Sequence, residues 1–160
     1  MKYEIIDNFL DKESFLKIKN TLMSDSFPYY YSKEISSSKS KEGIYFTHLF
    51  FNSEFNKSMY SNLINPIIKK LKIKSLIRIK ANIYSSTNKI IEHKEHIDYD
   101  FKHNGFLYYI NTNDGFTRLG KNIKIKSIEN RGLIFEPYLK HNSSTCTNLE
   151  GRININFNYF

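Results

Sequence analysis

The apolar positions of this chain change period near residue 75. Before it they recur mainly at helical spacing, and after it they alternate. Residues 3–9 alternate weakly and predict a short edge strand. Asp11 then stands as an N-cap with Glu13 in the first turn. Phe15, Ile18, Leu22 and Met23 follow and predict an amphipathic helix over 12–24. Residues 44–51 are aromatic and predict a strand. Phe55, Met59, Leu63, Ile67, Ile68 and Leu71 predict a helix over 54–72, interrupted at Pro66. Asn65-Pro66 fits the cap and first position of a second, shorter helix.

From Ser75 the period is two. Over 76–84, Ile77, Ile79, Ala81 and Ile83 share one face, and Arg78, Lys80, Asn82 and Tyr84 share the other. That second face is either wet or, in its later part, the lining of a polar lumen. Further strands are predicted at 105–111, 116–119, 123–128, 133–135 and 152–160. They are separated by turn sequences such as Asn111-Thr112-Asn113-Asp114-Gly115. Helices first and many short strands after predict an α+β chain whose strands form a sandwich or jelly roll.

The last strand alternates strictly. Arg152, Asn154, Asn156 and Asn158 share one face; Ile153, Ile155, Phe157 and Tyr159 share the other. If the apolar face packs under the helices, the polar face points into the barrel. A buried Arg needs an anion. The surrounding sequence offers no obvious buried carboxylate, and a ligand carboxylate would suit the planar guanidinium fork. If that face is wet instead, Arg152 is an ordinary surface residue.

A length of 160 residues suits one domain, 1–160, with 1–74 as helical support and 75–160 as the jelly-roll core. The net charge of +8 comes largely from Lys and raises the question of phosphate backbones. The Lys residues are dispersed, however. Their densest cluster, Lys69-Lys70-Leu71-Lys72-Ile73-Lys74, falls at a predicted helix end, where cations suit the dipole. A solvated basic surface is therefore favoured over a nucleic-acid partner. No apolar run approaches the ~20 residues of a membrane span, so no membrane partner is expected. The N-terminus does not read as a signal peptide. Cys146 is the only cysteine, which excludes an internal disulfide or a multi-thiolate metal site and fits a cytoplasmic location. Residues 24–43 turn polar around Ser36-Ser37-Ser38, just after Phe27-Pro28-Tyr29-Tyr30-Tyr31. This stretch is either a surface loop or a lid over a site.

The candidate chemistry begins at His96-Ile97-Asp98. In an extended segment, side chains two residues apart leave the same face, so His96 and Asp98 could hold one ion together. A third ligand from far along the chain would complete the 2-His-1-carboxylate face used for non-haem Fe(II). Alone, the His-x-Asp pattern is better read as a solvated polar loop. His93 lies three residues before His96, so strand parity places it on the opposite face. His48, between Thr47 and Leu49, reads as structural, with the substrate mouth as the alternative place for it.

His96-x-Asp98, then His141, then Arg152, all among short strands, resemble the 2-oxoglutarate/Fe(II)-dependent dioxygenases, and most nearly their prolyl-hydroxylase-like branch. Tyr108-Tyr109-Ile110-Asn111, Leu133-Ile134-Phe135 before His141, and Arg152-Ile153-Asn154-Ile155-Asn156-Phe157-Asn158-Tyr159 carry the likeness over residues 76–160. The resemblance implies a double-stranded β-helix with N-terminal helices packed on one sheet. It implies His96, Asp98 and His141 as iron ligands, with Arg152 and Tyr109 on the distal carboxylate of 2-oxoglutarate and Tyr84 lining the cosubstrate pocket. Asn154 joins that pocket where many relatives carry a small residue, and Asp114-Gly115 stands where they often carry Gly-Gly. The cofactors implied are Fe(II), 2-oxoglutarate and O2. The implied reaction hydroxylates a peptide or protein side chain, or a related small substrate, releasing succinate and CO2. The alternatives are a non-catalytic jelly-roll binding module, with an acidic protein or nucleic acid as partner, and a cupin-type metal protein. The latter has no evident need of Arg152.

Overall fold

A computed structural model of the chain describes residues 2–32, 45–53 and 57–160. The Ser-rich part of the expected lid, 33–44, lies outside these residues. Among the described residues, ten strands and two short α-helices follow in the order β1 (Tyr3–Ile6), α1 (Lys12–Leu22), β2 (Tyr30–Ser32), β3 (Tyr45–Asn52), α2 (Asn65–Leu71), β4 (Leu76–Ser85), β5 (Asn104–Tyr109), β6 (Phe116–Leu119), β7 (Ile123–Lys126), β8 (Arg131–Phe135), β9 (His141–Ser143) and β10 (Gly151–Tyr159). All strand pairings are antiparallel. One sheet runs β1-β8-β5-β10-β4-β3-β2 and the other β7-β6-β9, the two layers of a double-stranded β-helix.

Parity along the long central strands separates two cores. The apolar faces of β4 and β10 bury Ile79, Ala81, Ile155 and Phe157 against Phe15, Ile18 and Leu22 of α1 and Ile67 of α2. Between the sheets, Leu107, Tyr109, Leu119, Ile125, Leu133 and Phe135 form a second apolar cluster. This cluster fills one half of the barrel. The polar faces of β4 and β10 line the other half.

Asp11 caps α1 as expected, accepting from the Ser14 N–H at 2.9 Å. The long helix expected over 54–72 does not form. Residues 54–56 lie outside the description, a 3-10 turn covers Ser61–Ile64, and α2 has only 7 residues. Pro66 explains the break. Its fixed φ and missing N–H suit a helix start and cannot continue one from upstream. Asn65 is therefore the first residue of α2, with Ile64 in the cap position.

Residues 91–96 run beside β9 without forming a regular strand. Bridges join Glu92 to Ser144 and His96 to His141, so four steps on one side oppose three on the other. The extra residue is a bulge, and it reverses the face parity between its two ends. His93 thus turns inward like His96, against the expectation, and packs on Tyr84 with ring centroids 5.0 Å apart. His48 is structural: its ring nitrogens meet the Pro28 carbonyl at 2.7 Å and the Ser58 hydroxyl at 2.9 Å.

Candidate metal and cosubstrate site

The triad is assembled by backbone pairing. His96 and His141 exchange both main-chain hydrogen bonds, at 2.9 and 3.0 Å. Residues paired this way stand directly opposite with their side chains on one face. Their rings lie 4.6 Å apart, centroid to centroid. Asp98 sits two residues after His96 and is anchored by its own N–H on the Pro137 carbonyl at 2.9 Å. Its Oδ1 is 3.8 Å from His96 Nε2 and 3.9 Å from His141 Nε2. Among the described residues this is the one cluster of three such side chains with ligand atoms all within 4.8 Å of one another.

The hydrogen bonds around the triad suit metal ligation. His141 Nδ1 meets the Leu139 carbonyl at 2.9 Å. A carbonyl can only accept, so the proton is on Nδ1 and the Nε2 lone pair is left for a metal. His96 Nδ1 has the Lys94 carbonyl at 3.4 Å, a longer version of the same contact. Burial is the main reason the His96 pKa falls below its ordinary 6.5; the His141 charge adds to this and Asp98 opposes it. The neutral imidazole is therefore favoured. Burial pushes the Asp98 carboxyl up, but His141, Arg78, His96 and the Asn156 amide together outweigh it and hold the pKa below 3.8. Two imidazoles and one carboxylate on one side are the donor set of a facial Fe(II) site.

The polar rows of β10 and β4 form the floor beside the triad. Arg152, Asn154, Asn156 and Asn158 stand opposite Tyr84, Asn82, Lys80 and Arg78. Arg152 is completely buried. It donates to Ser127 Oγ at 2.7 Å, to Thr117 Oγ1 at 2.8 Å and to Ser143 Oγ. Its guanidinium also lies over the Tyr84 and Tyr109 rings, at 5.4 and 5.7 Å. No ion pair joins it to any carboxylate of the described residues. Among the described residues this buried cation meets neutral hydroxyls and phenols, an environment that an anion would complete. Gly115 makes room for it, since a Cβ there would come within 2.7 Å of Arg152 Cδ.

The other expected cosubstrate residues converge on the same place. Tyr109, opposite Asn154 in the β5–β10 pairing, donates to the same Thr117 hydroxyl at 2.9 Å. Burial raises the Tyr84 and Tyr109 pKa values, so both phenols stay protonated as donors. Asn154 accepts from Asn82 at 2.9 Å, while its own buried Nδ2 has no partner among the described residues. Asn154 lines a small cavity of about 30 Å³ together with Tyr84, His96, Thr117, His141, Ser143 and Asn156. The residues present therefore fit both a facial metal ion and a carboxylate cosubstrate. A larger groove of about 740 Å³, between the end of α1 and the 147–151 loop, contains none of these residues.

Sequence reasoning missed the residues that support this set. The hydroxyls of Thr117, Ser127 and Ser143 come from three separate segments and have no local signature. Asn156 and Arg78, which reach Asp98 at 3.1 and 3.3 Å, were foreshadowed only by strand alternation.

No family model matches the chain, and no curated protein does. Solved structures do. A prolyl hydroxylase from Trichoplax adhaerens, in complex with a hypoxia-inducible-factor peptide fragment, superposes with a TM-score of 0.68 at 15% identity over 99% of this chain and 83% of its own. The viral collagen prolyl hydroxylase of Paramecium Bursaria Chlorella virus-1, in a 2OG complex, gives 0.62 at 15% identity, with coverage of 99% and 95%. A Burkholderia pseudomallei oxidoreductase of the 2OG-Fe(II) oxygenase family gives 0.69 at 8% identity, with coverage of 98% and 84%. The chain therefore has the fold of the 2OG-Fe(II) oxygenases over its whole length.

Proposed function

We propose that this protein is an Fe(II)- and 2-oxoglutarate-dependent dioxygenase that hydroxylates a peptide or protein side chain, or a related small substrate. One observation carries the reading. The fully buried Arg152, which has no carboxylate partner among the described residues, bonds Thr117 and Ser143, and these line one cavity with His96 and His141 of the His96–Asp98–His141 cluster. Fe(II), 2-oxoglutarate and O2 would together supply an oxidant strong enough for a C–H bond, with release of succinate and CO2.

The chain's own part is to bind, orient and exclude water. His96, Asp98 and His141 would hold the metal. Leu139 O and Lys94 O fix the imidazole tautomers, and Asn156 holds the second oxygen of Asp98. Arg152 would take the distal carboxylate of the cosubstrate as a charge-assisted fork, with Tyr109, Tyr84 and Asn154 as neutral donors beside it. Tyr45 stacks on Tyr84 at 5.0 Å and closes that end against solvent. The prolyl hydroxylase likeness and the bound peptide of the Trichoplax relative support a peptide-like substrate. The edge strands shape its approach: Tyr30 pairs with Thr47, which pairs with Asn82, so Tyr30 is on the site side of the sheet, and it is 65% exposed. The lone cysteine fits a cytoplasmic enzyme.

Purified protein given Fe(II), 2-oxoglutarate and O2 should release succinate slowly without added substrate. His141→Ala and Arg152→Ala should each abolish this. Succinate release that survives both substitutions would sink the assignment.

A further inference from the structure

Two cations stand beside the triad that the proposed chemistry does not use. Arg78 and Lys80 share the inward polar face of β4, at the opposite end of the row from Arg152. Arg78 reaches Asp98 Oδ1 through Nη2 at 3.3 Å and lies 5.2 Å over the Tyr99 ring. Its Nε is buried with no hydrogen-bond partner among the described residues. Lys80 is half-buried, with its ammonium 5.5 Å over the Tyr45 ring. Among the described residues it makes no salt bridge. Desolvation, then repulsion from Arg78, draws its pKa down to about 8, with only Asp98 opposing. Such a cation lacks an adequate counter-ion.

Neither residue is placed at the distal carboxylate that Arg152 would hold. Their partners Asn156 and Asn158 lie four and six residues along β10 from Arg152, which is about 13 and 20 Å of strand. Charge makes the same point. Among the described residues Arg78 and Lys80 face the one carboxylate of Asp98, and Arg152 has none. A divalent metal and a 2-oxoglutarate dianion would cancel each other, so the excess of positive charge persists in the loaded site. Even with Nη2 on Asp98, the buried Nε of Arg78 is left without a partner among the described residues.

We propose that Arg78 and Lys80 form the substrate-recognition pair of this site and that the primary substrate presents a carboxylate to them, as an acidic residue of a peptide or an acidic amino acid. A carboxylate is favoured over phosphate because Arg78 already accommodates one, that of Asp98, beside the Tyr99 ring. This inference rests on the dioxygenase reading. It sets the substrate's charge and the side of the metal from which it approaches.

The test is a binding selection. Protein loaded anaerobically with Fe(II) and 2-oxoglutarate is panned at 0.15 M salt, roughly physiological ionic strength, against a random peptide library that includes phosphoserine. Loading is checked first by the visible charge-transfer absorption of the metal–cosubstrate chelate. Asp- or Glu-containing peptides should be enriched about tenfold or more, the size expected for a desolvated charge-assisted contact. The enrichment should fall in Lys80→Gln, a residue with no direct contact to the triad, and vanish in Arg78→Gln/Lys80→Gln, each panned at metal and cosubstrate concentrations that saturate its own charge-transfer absorption, and it should return in the charge-conserving Arg78→Lys/Lys80→Arg variant. No acidic enrichment in the loaded wild type, enrichment that persists in the Gln variant, or a preference for phosphoserine over Glu would each overturn it. Failure to load at all would instead overturn the dioxygenase reading.

Discussion

At the residue scale, Arg152 is the side chain whose position most constrains the function. Its burial without a carboxylate partner among the described residues is hard to reconcile with a purely structural role, because an isolated buried charge is costly. Arg152→Met should therefore weaken 2-oxoglutarate binding by roughly 30-fold or more, the scale of losing one member of a buried charge pair. The metal-free protein should lose much less stability than the ~3–5 kcal/mol that breaking a satisfied pair costs. Calorimetric titration and urea unfolding of the same variant check both halves. His48 makes a separate prediction away from the triad. Burial holds its pKa below the ordinary 6.5, with the Pro28 carbonyl contact opposing. The unfolded chain then takes up a proton that the folded chain resists, so His48 contributes stability above pH 6.5 that is lost as pH falls through the folded value. Urea unfolding of metal-free protein at roughly pH 7.5 and 5.5, within the range where imidazoles titrate, should show this loss, and His48→Gln should reduce it.

At the element scale, β10 does two jobs with two faces. Its apolar face builds the core under the helices and its polar face builds the site. Ile155→Ala should cost about 2–5 kcal/mol of unfolding free energy, measured in urea. It should leave the extra stability conferred by 2-oxoglutarate on the metal-loaded protein unchanged, since Ile155 faces away from Arg152. These strands were legible in the sequence because strict alternation of Asn with Ile and Phe admits only one period. So was α1, where Asp11 and the Phe15, Ile18, Leu22 stripe agree. The helix at 54–72 was not, because apolar spacing carried the reading across Pro66. The segment at 91–96 was misjudged for a different reason. A bulge flips face parity without altering composition, so the inward turn of His93 was invisible until the pairing with β9 was known. The triad itself was legible only as types and spacing; the reciprocal pairing of His96 with His141 is what makes it a site.

At the scale of the whole molecule, folding brings His96, Asp98, His141, Tyr109, Arg152 and the β4 cations together from five segments. Ligand binding should then be visible as global stability. With Fe(II) present and 2-oxoglutarate at about a hundredfold over its Kd, linkage gives about 2.7 kcal/mol, or a rise in Tm of roughly 5–10 °C for a chain of this size. An equal concentration of chloride should not reproduce it in anaerobic thermal unfolding. The most direct test of the central claim is anaerobic titration of the Fe(II)-loaded protein with 2-oxoglutarate, followed by visible absorption. The account predicts a charge-transfer band that saturates at one equivalent, disappears in the Asp98→Ala/His141→Ala variant and needs far more cosubstrate in Arg152→Met. A band that never forms in the wild type, or one that forms equally well without Asp98 and His141, would contradict it.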